Sequence, residues 1–91
     1  MTSYYLRALV TGKVQGVGYR RATQKQALQA NITGYAKNLA DGRVEVLMCG
    51  DREKVKTLSE WLWQGPANAR VTHVEYETLA QDHAPDTFST Q

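Results

Sequence analysis

The sequence predicts an α+β fold, a two-layer α/β sandwich in which two helices cover one face of a four- to five-stranded antiparallel sheet. Three observations predict it. The chain has 91 residues, a length that closes one sheet and one layer of helices and little more. Runs rich in β-forming residues alternate with two runs of helix formers. Turn signals such as Asp41-Gly42 and Gly65-Pro66 separate these runs.

The first strand and the first helix are joined by a glycine-rich segment. The run from Tyr5 to Thr11 is rich in β-formers and predicts a strand. Residues 12–18 (GKVQGVG) hold three glycines in seven positions and predict a loop. Arg20 to Ala30 contains good helix formers and no breaker, which predicts a helix of about three turns. Asn31 tolerates the left-handed conformation that ends many helices.

A hairpin and a second helix follow. Thr33 to Asn38 predicts a weaker strand, and Arg43 to Cys49 alternates clearly enough to predict its partner across Asp41-Gly42. Asp51 is a predicted N-cap for a helix with Val55, Leu58 and Leu62 at helical spacing.

The remaining strands complete the order. Arg70 to Glu77 predicts a strand, and Thr87 to Thr90 predicts a short edge strand with Phe88 as its anchor. The order β-α-β-β-α-β, with a possible fifth strand, is that of the ferredoxin-like split βαβ arrangement. We expect residues 1–91 to form a single domain.

Composition excludes several classes of protein. The net charge of +2 is too small to indicate nucleic acid as a partner. No apolar run approaches the ~20 residues of a membrane span, and the amino-terminal stretch does not resemble a signal peptide. The lone cysteine, Cys49, cannot form an intrachain disulfide, which fits a reducing compartment. We therefore expect a cytoplasmic protein without a membrane or nucleic-acid partner, and a monomer by default.

The glycine-rich loop and the start of the first helix fit an anion site, and they equally fit an ordinary tight strand–helix turn with surface arginines. Backbone N–H groups of such a loop, together with the positive end of a helix, converge on one point. Arg20 and Arg21 fall in the first turn, where cations oppose the helix dipole and a bound anion would reverse the penalty. The planar fork of arginine suits phosphate. The segment is neither a Walker loop nor a dinucleotide fingerprint, because the required residues and spacing are absent.

Three segments resemble the acylphosphatase family. Residues 10–20 (VTGKVQGVGYR) are similar to the family signature V-x-G-x-V-Q-G-V-x-[FY]-R, and residues 34–45 (GYAKNLADGRVE) to its block G-[WY]-[VA]-x-N-x-x-D-G-x-V-E. Residues 65–71 (GPANARV) match a weaker third block, G-P-x-x-A-x-V, in the family's order. The family fold, an α/β sandwich of ferredoxin-like type, agrees with the element order.

The resemblance implies an enzyme that hydrolyses the carboxyl–phosphate anhydride of small acyl phosphates, an acylphosphatase (EC 3.6.1.7). Arg20 would bind the phosphoryl group together with loop amides, and Asn38 would orient the attacking water. Arg21 receives no family role and is expected to be solvated. The phosphate-binding loop would comprise Val14, Gln15, Gly16, Val17, Gly18 and Tyr19.

No cofactor and no metal are expected. Cys49 is expected in the core, and neither His73 nor His83 has the spacing of a metal ligand. An acyl phosphate expels a carboxylate, which needs no protonation, so positioning and charge stabilisation suffice. Inorganic phosphate is then both product and expected competitive inhibitor.

Other functions remain open at this point. An RNA-binding sheet is weakly suggested by Tyr5, Tyr35 and Tyr76 on three predicted strands, although no recognised motif accompanies them. A metal carrier would require a Cys-x-x-Cys pair, and the chain has one cysteine. A regulatory domain that binds acyl phosphate without turnover would have the same loop. Asn38 considered alone is more typical of a turn former.

Overall fold

Five strands and two helices follow one another in the predicted order within residues 4–80 and 83–91, the part of the chain that the computed structural model describes. The prediction that the amino-terminal stretch is not a leader includes residues 1–3, which lie outside the described residues. The elements are β1 (Tyr4–Lys13), α1 (Tyr19–Gln29), β2 (Thr33–Asn38), β3 (Val44–Gly50), α2 (Arg52–Trp61), β4 (Arg70–Thr78) and β5 (Phe88–Thr90).

The strands form one sheet in the order β4-β1-β3-β2-β5. The pairs β1–β4, β1–β3 and β2–β3 are antiparallel, as predicted. The fifth strand differs from the prediction, because β5 pairs with β2 in parallel and makes the sheet mixed. After β4 the chain reverses direction and crosses to the opposite edge of the sheet, beside β2. Because β2 also runs opposite to β4, β5 and β2 run in the same direction.

The first strand is longer than predicted and takes up the first two residues of the expected loop. Its register against β4 shifts between Thr11 and Gly12. Gly12 has φ +133°, and a Cβ there would lie 2.1 Å from the main-chain oxygen of Arg70. Gly12 therefore serves a close approach between two strands, whereas Gly16 and Gly18 belong to the loop itself.

Both helices cover the same face of the sheet, α1 over β2 and β5 and α2 over β1 and β3. Alternate residues of β1 and β3 point toward them and are buried in one cluster with Ala27 of α1 and with Val55 and Leu58 of α2. The predicted anchor Phe88 is also in this cluster, 1% exposed, which fixes β5 at the edge. The alternating buried residues of these two strands are Leu6, Ala8 and Val10 of β1 and Val44, Val46 and Met48 of β3.

Two local predictions about helix ends are confirmed. The side chain of Asp51 accepts a hydrogen bond from the backbone N–H of Lys54 at 3.2 Å and caps α2. Asn31 adopts φ +56° after α1, the left-handed conformation expected of it. Neither helix of the described part of the chain has the length and apolar character that a membrane span requires.

Candidate active site

The loop between β1 and α1 is fixed at both ends by buried side chains. Val14 is 1% exposed at its start, and Val17 packs against the core. Gly16 and Gly18 have φ +75° and +79°, and a Cβ at either position would meet no atom within 4 Å. Backbone conformation, and not lack of space, therefore favours glycine at these two positions.

The N-terminus of α1 has no side-chain cap. Its N-cap residue is Gly18 in the left-handed conformation, and no acidic residue lies in the first turn. The first N–H groups of a helix have no partner within the helix, so those of α1 are available to a ligand.

A cavity of about 350 Å³ opens at this point. Gly16, Gly18, Arg20, Arg21 and Thr90 line it. Neither arginine forms an ion pair with an Asp or Glu side chain among the described residues. The cavity is thus bounded by two cations and a helix N-terminus, an arrangement that attracts anions.

The Arg20 side chain is held by the main chain at the end of β5. Its Nη1 donates a hydrogen bond to the main-chain oxygen of Gln91 at 2.7 Å. A guanidinium carries five N–H donors, so this contact leaves most of them free to bind another group.

Asn38 contacts the same oxygen. Its backbone N–H donates to the main-chain oxygen of Gln91 at 3.1 Å. Asn38 is not in the lining of the cavity, but the shared acceptor makes it a neighbour of Arg20. The side-chain oxygen Oδ1 of Asn38 is buried and has no hydrogen-bond partner among the described residues. A buried acceptor of this kind needs a donor, which water or a ligand can supply.

The other predicted loop residues turn their side chains away from the cavity. Tyr19 is 1% exposed, and its hydroxyl donates to the carbonyl oxygen of Leu62 at 2.6 Å, so that it anchors α1 to the end of α2. Burial raises the pKa of Tyr19 well above its usual range and keeps the phenol neutral. Gln15 extends toward the β2–β3 turn and contacts main-chain oxygens there.

Sequence reasoning missed two residues of this region, Thr90 and Gln91. Arg21, which was placed beside Arg20 in the first turn without a family role, is exposed as expected and also lines the cavity. Thr90 and Gln91 come from β5 and the residue after it. Gln91 acts through its main-chain oxygen, which every residue type has, so its role cannot be recognised from the sequence.

A larger cavity of about 520 Å³ lies beside α2, and its lining carries charges of both signs, from Arg52, Lys56 and Glu53. The guanidinium of Arg52 lies 5.6 Å from the centre of the Tyr4 ring. The hydroxyl of Tyr76 donates to the carbonyl oxygen of Ser59 at 2.6 Å. The carboxylate of Glu53 makes this second cavity less suited to an anion than the one beside α1, whose described lining holds no acidic side chain.

The three tyrosines that suggested RNA binding do not share a surface. Tyr5 and Tyr35 alternate with core residues and lie on the uncovered face of the sheet. Tyr76 pairs with the buried Ala8 and bonds to α2, so it lies on the opposite face. The uncovered face also carries Glu45, Glu75 and Glu77 beside Arg7 and Lys37. Three carboxylates among these side chains make the face unlike the continuous basic surface that binds a phosphate backbone.

Metal-ligating residues do not cluster in the described ranges. Within residues 4–80 and 83–91, no three His, Cys, Asp or Glu side chains lie close enough to hold a metal ion. Cys49 is buried, and burial raises the pKa of its thiol to about 11. A thiol in that state is a weak nucleophile at neutral pH.

Comparison with known proteins identifies the family. A family model described as Acylphosphatase matches residues 6–90. An acylphosphatase of Chromohalobacter salexigens is 61% identical over 83 residues, 91% of this chain and 91% of that protein. The structure of an acylphosphatase from Coxiella burnetii has a TM-score of 0.92 at 37% identity, and the match covers 98% of this chain and 93% of that one. The crystal structure of acylphosphatase from Bacillus subtilis has the same TM-score at 31% identity, with 97% and 98% coverage. The chain therefore belongs to the acylphosphatase family.

Proposed function

We propose that this chain hydrolyses acyl phosphates at the cavity beside the N-terminus of α1, releasing a carboxylate and inorganic phosphate. Hydrolysis of acyl phosphates is the function of the family to which the chain belongs. The proposal assigns phosphoryl binding to Arg20 and the loop amides, and orientation of the attacking water to Asn38. The observation that supports it most is that the Arg20 side chain and the Asn38 backbone N–H both donate hydrogen bonds to the main-chain oxygen of Gln91.

Phosphoryl binding follows from the groups that remain available. The uncapped first turn of α1 and the left-handed glycines of the loop present backbone N–H groups. With one donor engaged by Gln91, Arg20 keeps N–H groups for a bidentate contact with two phosphoryl oxygens. These donors stabilise the charge on the phosphoryl oxygens in the transition state.

Water orientation follows from the buried oxygen of Asn38. A carboxamide oxygen accepts a hydrogen bond from a water O–H, and the water's lone pair is then directed at phosphorus. Asn38 cannot act as a base, because an amide does not take up a proton near neutral pH. In the proposed reaction a phosphoryl oxygen of the substrate receives the proton from the water.

The reaction needs few groups because the leaving group is good. A carboxylate has a conjugate acid of pKa about 4, so it departs without a general acid. Phosphoryl transfer is largely dissociative, and the water requires little activation before attack. We propose that no metal and no cofactor take part.

Several finer points belong to the same proposal. Inorganic phosphate occupies the phosphoryl position and competes with substrate. Residues 1–91 act as one domain and as a monomer. The single buried cysteine supports a cytoplasmic location, since a reducing compartment keeps such thiols free.

The test is hydrolysis of benzoyl phosphate by the purified protein, followed optically with EDTA present and with a parallel phosphate titration. Turnover that chelator leaves unchanged and phosphate inhibits competitively supports the proposal. A folded protein that does not exceed the spontaneous rate, yet still binds phosphate, is instead a regulatory binding domain. An Asn38→Asp variant with full activity at neutral pH would contradict the purely orienting role of Asn38.

A further inference from the structure

Gln15 connects the phosphoryl-binding loop to a distant part of the chain. Its side chain is half-buried, and Nε2 donates to the main-chain oxygens of Leu39 at 2.8 Å and Arg43 at 3.0 Å. Both acceptors are carbonyl oxygens, so the group between them must be the amide nitrogen, which offers two N–H donors. Both donors are engaged, and the side chain has none left for a phosphoryl group.

The two carbonyl oxygens lie at the base of the β2–β3 turn. Leu39 N–H donates to the oxygen of Arg43 at 2.8 Å, and Gly42 N–H donates to the oxygen of Leu39 at 3.2 Å. Gln15 therefore binds the two residues that close this turn. Asn38 immediately precedes Leu39, so the contact of Gln15 is one residue away from the group that orients water.

We infer that Gln15 is a positioning residue that fixes Asn38 relative to the phosphoryl-binding loop, and that it does not bind phosphate through its side chain. This inference rests on the proposed function. The loop that carries Gly16 and Gly18 and the turn that follows Asn38 are far apart in sequence, and the Gln15 amide joins them directly. Small errors in the position of a reacting group lower the rate strongly, even when binding is intact.

The inference separates two kinetic quantities. Arg20 and the loop amides do not depend on the turn for their contact with phosphate, so the inhibition constant of phosphate is expected to change little without the Gln15 amide. The water held by Asn38 does depend on it, so kcat is expected to fall. A residue that only supported the loop would instead change the inhibition constant and kcat together.

The variants are Gln15→Met, which keeps length and loses both donors, and Gln15→Glu, which keeps shape and places an acceptor against two carbonyl oxygens. We expect Gln15→Met to lower kcat about tenfold while the phosphate inhibition constant stays within about twofold. Gln15→Glu is expected to lower kcat further. Thermal unfolding and phosphate inhibition establish that each variant is folded.

Gln24→Met is the matched control. Gln24 is also half-buried, and its Nε2 donates to a main-chain oxygen, that of Phe88, at 2.9 Å. It connects α1 to β5 and not to the turn. We expect its kcat to remain within about twofold of the wild-type value. An equal loss of kcat in Gln24→Met and Gln15→Met would overturn the inference, since the contact of Gln15 with the turn would then have no special effect.

A double-mutant cycle with Asn38→Ala decides whether Gln15 acts through Asn38. If it does, adding Gln15→Met to Asn38→Ala lowers kcat by less than about twofold beyond Asn38→Ala alone. If the losses of kcat in the two single variants multiply in the double variant, the inference is overturned, because Gln15 then acts independently of Asn38. An unchanged kcat in Asn38→Ala overturns the proposed role of Asn38 and the inference with it. A loss in Asn38→Ala together with an unchanged Gln15→Met overturns the inference alone.

Discussion

The two helices begin in opposite ways. Asp51 caps α2 with its side chain, and Glu53 places a negative charge in the first turn. α1 starts at Gly18 without a side-chain cap and has Arg20 at the position where α2 has Glu53. The helices occupy corresponding places in the two βαβ halves of the sheet. The N-terminus of α2 is stabilised by its own side chains, while that of α1 leaves its backbone donors unpaired within the helix, and the proposed function assigns those donors to a ligand.

Even the arginines at the two ends differ in surroundings. Arg52, the first residue of α2, lies over the ring of Tyr4. Arg52 also borders a cavity, with Glu53 beside it. Arg20, the second residue of α1, instead borders a cavity whose described lining has no acidic side chain, and it bonds to the main chain at Gln91. This pair gives the comparison a direct test.

The largest expected effect is that of Arg20→Ala against Arg52→Ala. We expect Arg20→Ala to lower kcat/KM for benzoyl phosphate by about 100-fold or more, because the phosphoryl charge loses its main donor. Arg52→Ala is expected to leave kcat/KM unchanged. Steady-state kinetics on both folded variants provides the measurement, and similar losses in the two would remove the distinction between the helix ends.

Phosphate is expected to stabilise the protein through α1 only. At 100 times its Kd, a ligand bound solely by the native state adds about 2.7 kcal/mol to the free energy of unfolding. Urea titrations with and without phosphate should give this increase in the wild type and in Arg52→Ala. In Arg20→Ala the same phosphate concentration should give far less, and an undiminished increase would place the anion elsewhere.

An acid in the first turn of α1, which has none, should exchange binding for stability. Arg21→Glu places an acid in the first turn and should raise the free energy of unfolding by about 0.5 kcal/mol without ligand. The same change should weaken phosphate about five- to tenfold by repulsion, with less effect at high salt. Unchanged phosphate inhibition at low salt would show that Arg21 contributes nothing to the cavity.

Removing the cap of α2 should affect stability alone. Asp51→Ala is expected to lower the free energy of unfolding by about 1 kcal/mol, because the N–H of Lys54 loses its partner. We expect kcat/KM and the stabilisation by phosphate to match those of the wild type. A loss of kcat/KM in a folded Asp51→Ala would mean that the two ends are coupled.

The smallest effect concerns Asp41, which organises the turn after Asn38. The backbone N–H and guanidinium of Arg43 lower the pKa of the Asp41 carboxyl below its ordinary value of 3.8. A carboxyl whose pKa is lower in the folded state stabilises the fold at pH above its unfolded-state pKa. This stabilisation is lost as the pH falls through the folded-state pKa. Wild type should therefore exceed Asp41→Asn in stability at neutral pH, and the two should converge in acid. A gap that persists at the lowest pH would contradict this.

Much of the fold is local enough to be predicted from the sequence. The cap at Asp51, the left-handed Asn31 and the anchor Phe88 each depend on neighbouring residues or on one apolar side chain, and all three are confirmed. The parallel pairing of β5 was not predictable in this way, because it depends on which edge the chain reaches. Gly12 was assigned to the loop because glycine content alone does not distinguish a strand crossing from a turn.

The side chains of the candidate site could be predicted from the sequence, whereas its main-chain contacts could not. The family resemblance and the cations beside a glycine-rich loop led to Arg20 and Asn38. The contacts that join them could not be predicted, because Gln91 acts through a main-chain oxygen. For Gln15, the residue type does not reveal whether the amide faces phosphate or the turn.

A phosphate titration followed by ¹H–¹⁵N correlation NMR tests the central claim most directly. The backbone amides of Gly16, Gly18 and Tyr19 should shift with a single Kd, while those of Arg52 and Glu53 at the capped end stay in place. The same titration on Arg20→Ala should need much more phosphate. Shifts at α2 equal to those at the loop, or none at the loop, would contradict the assignment of the phosphoryl site to α1.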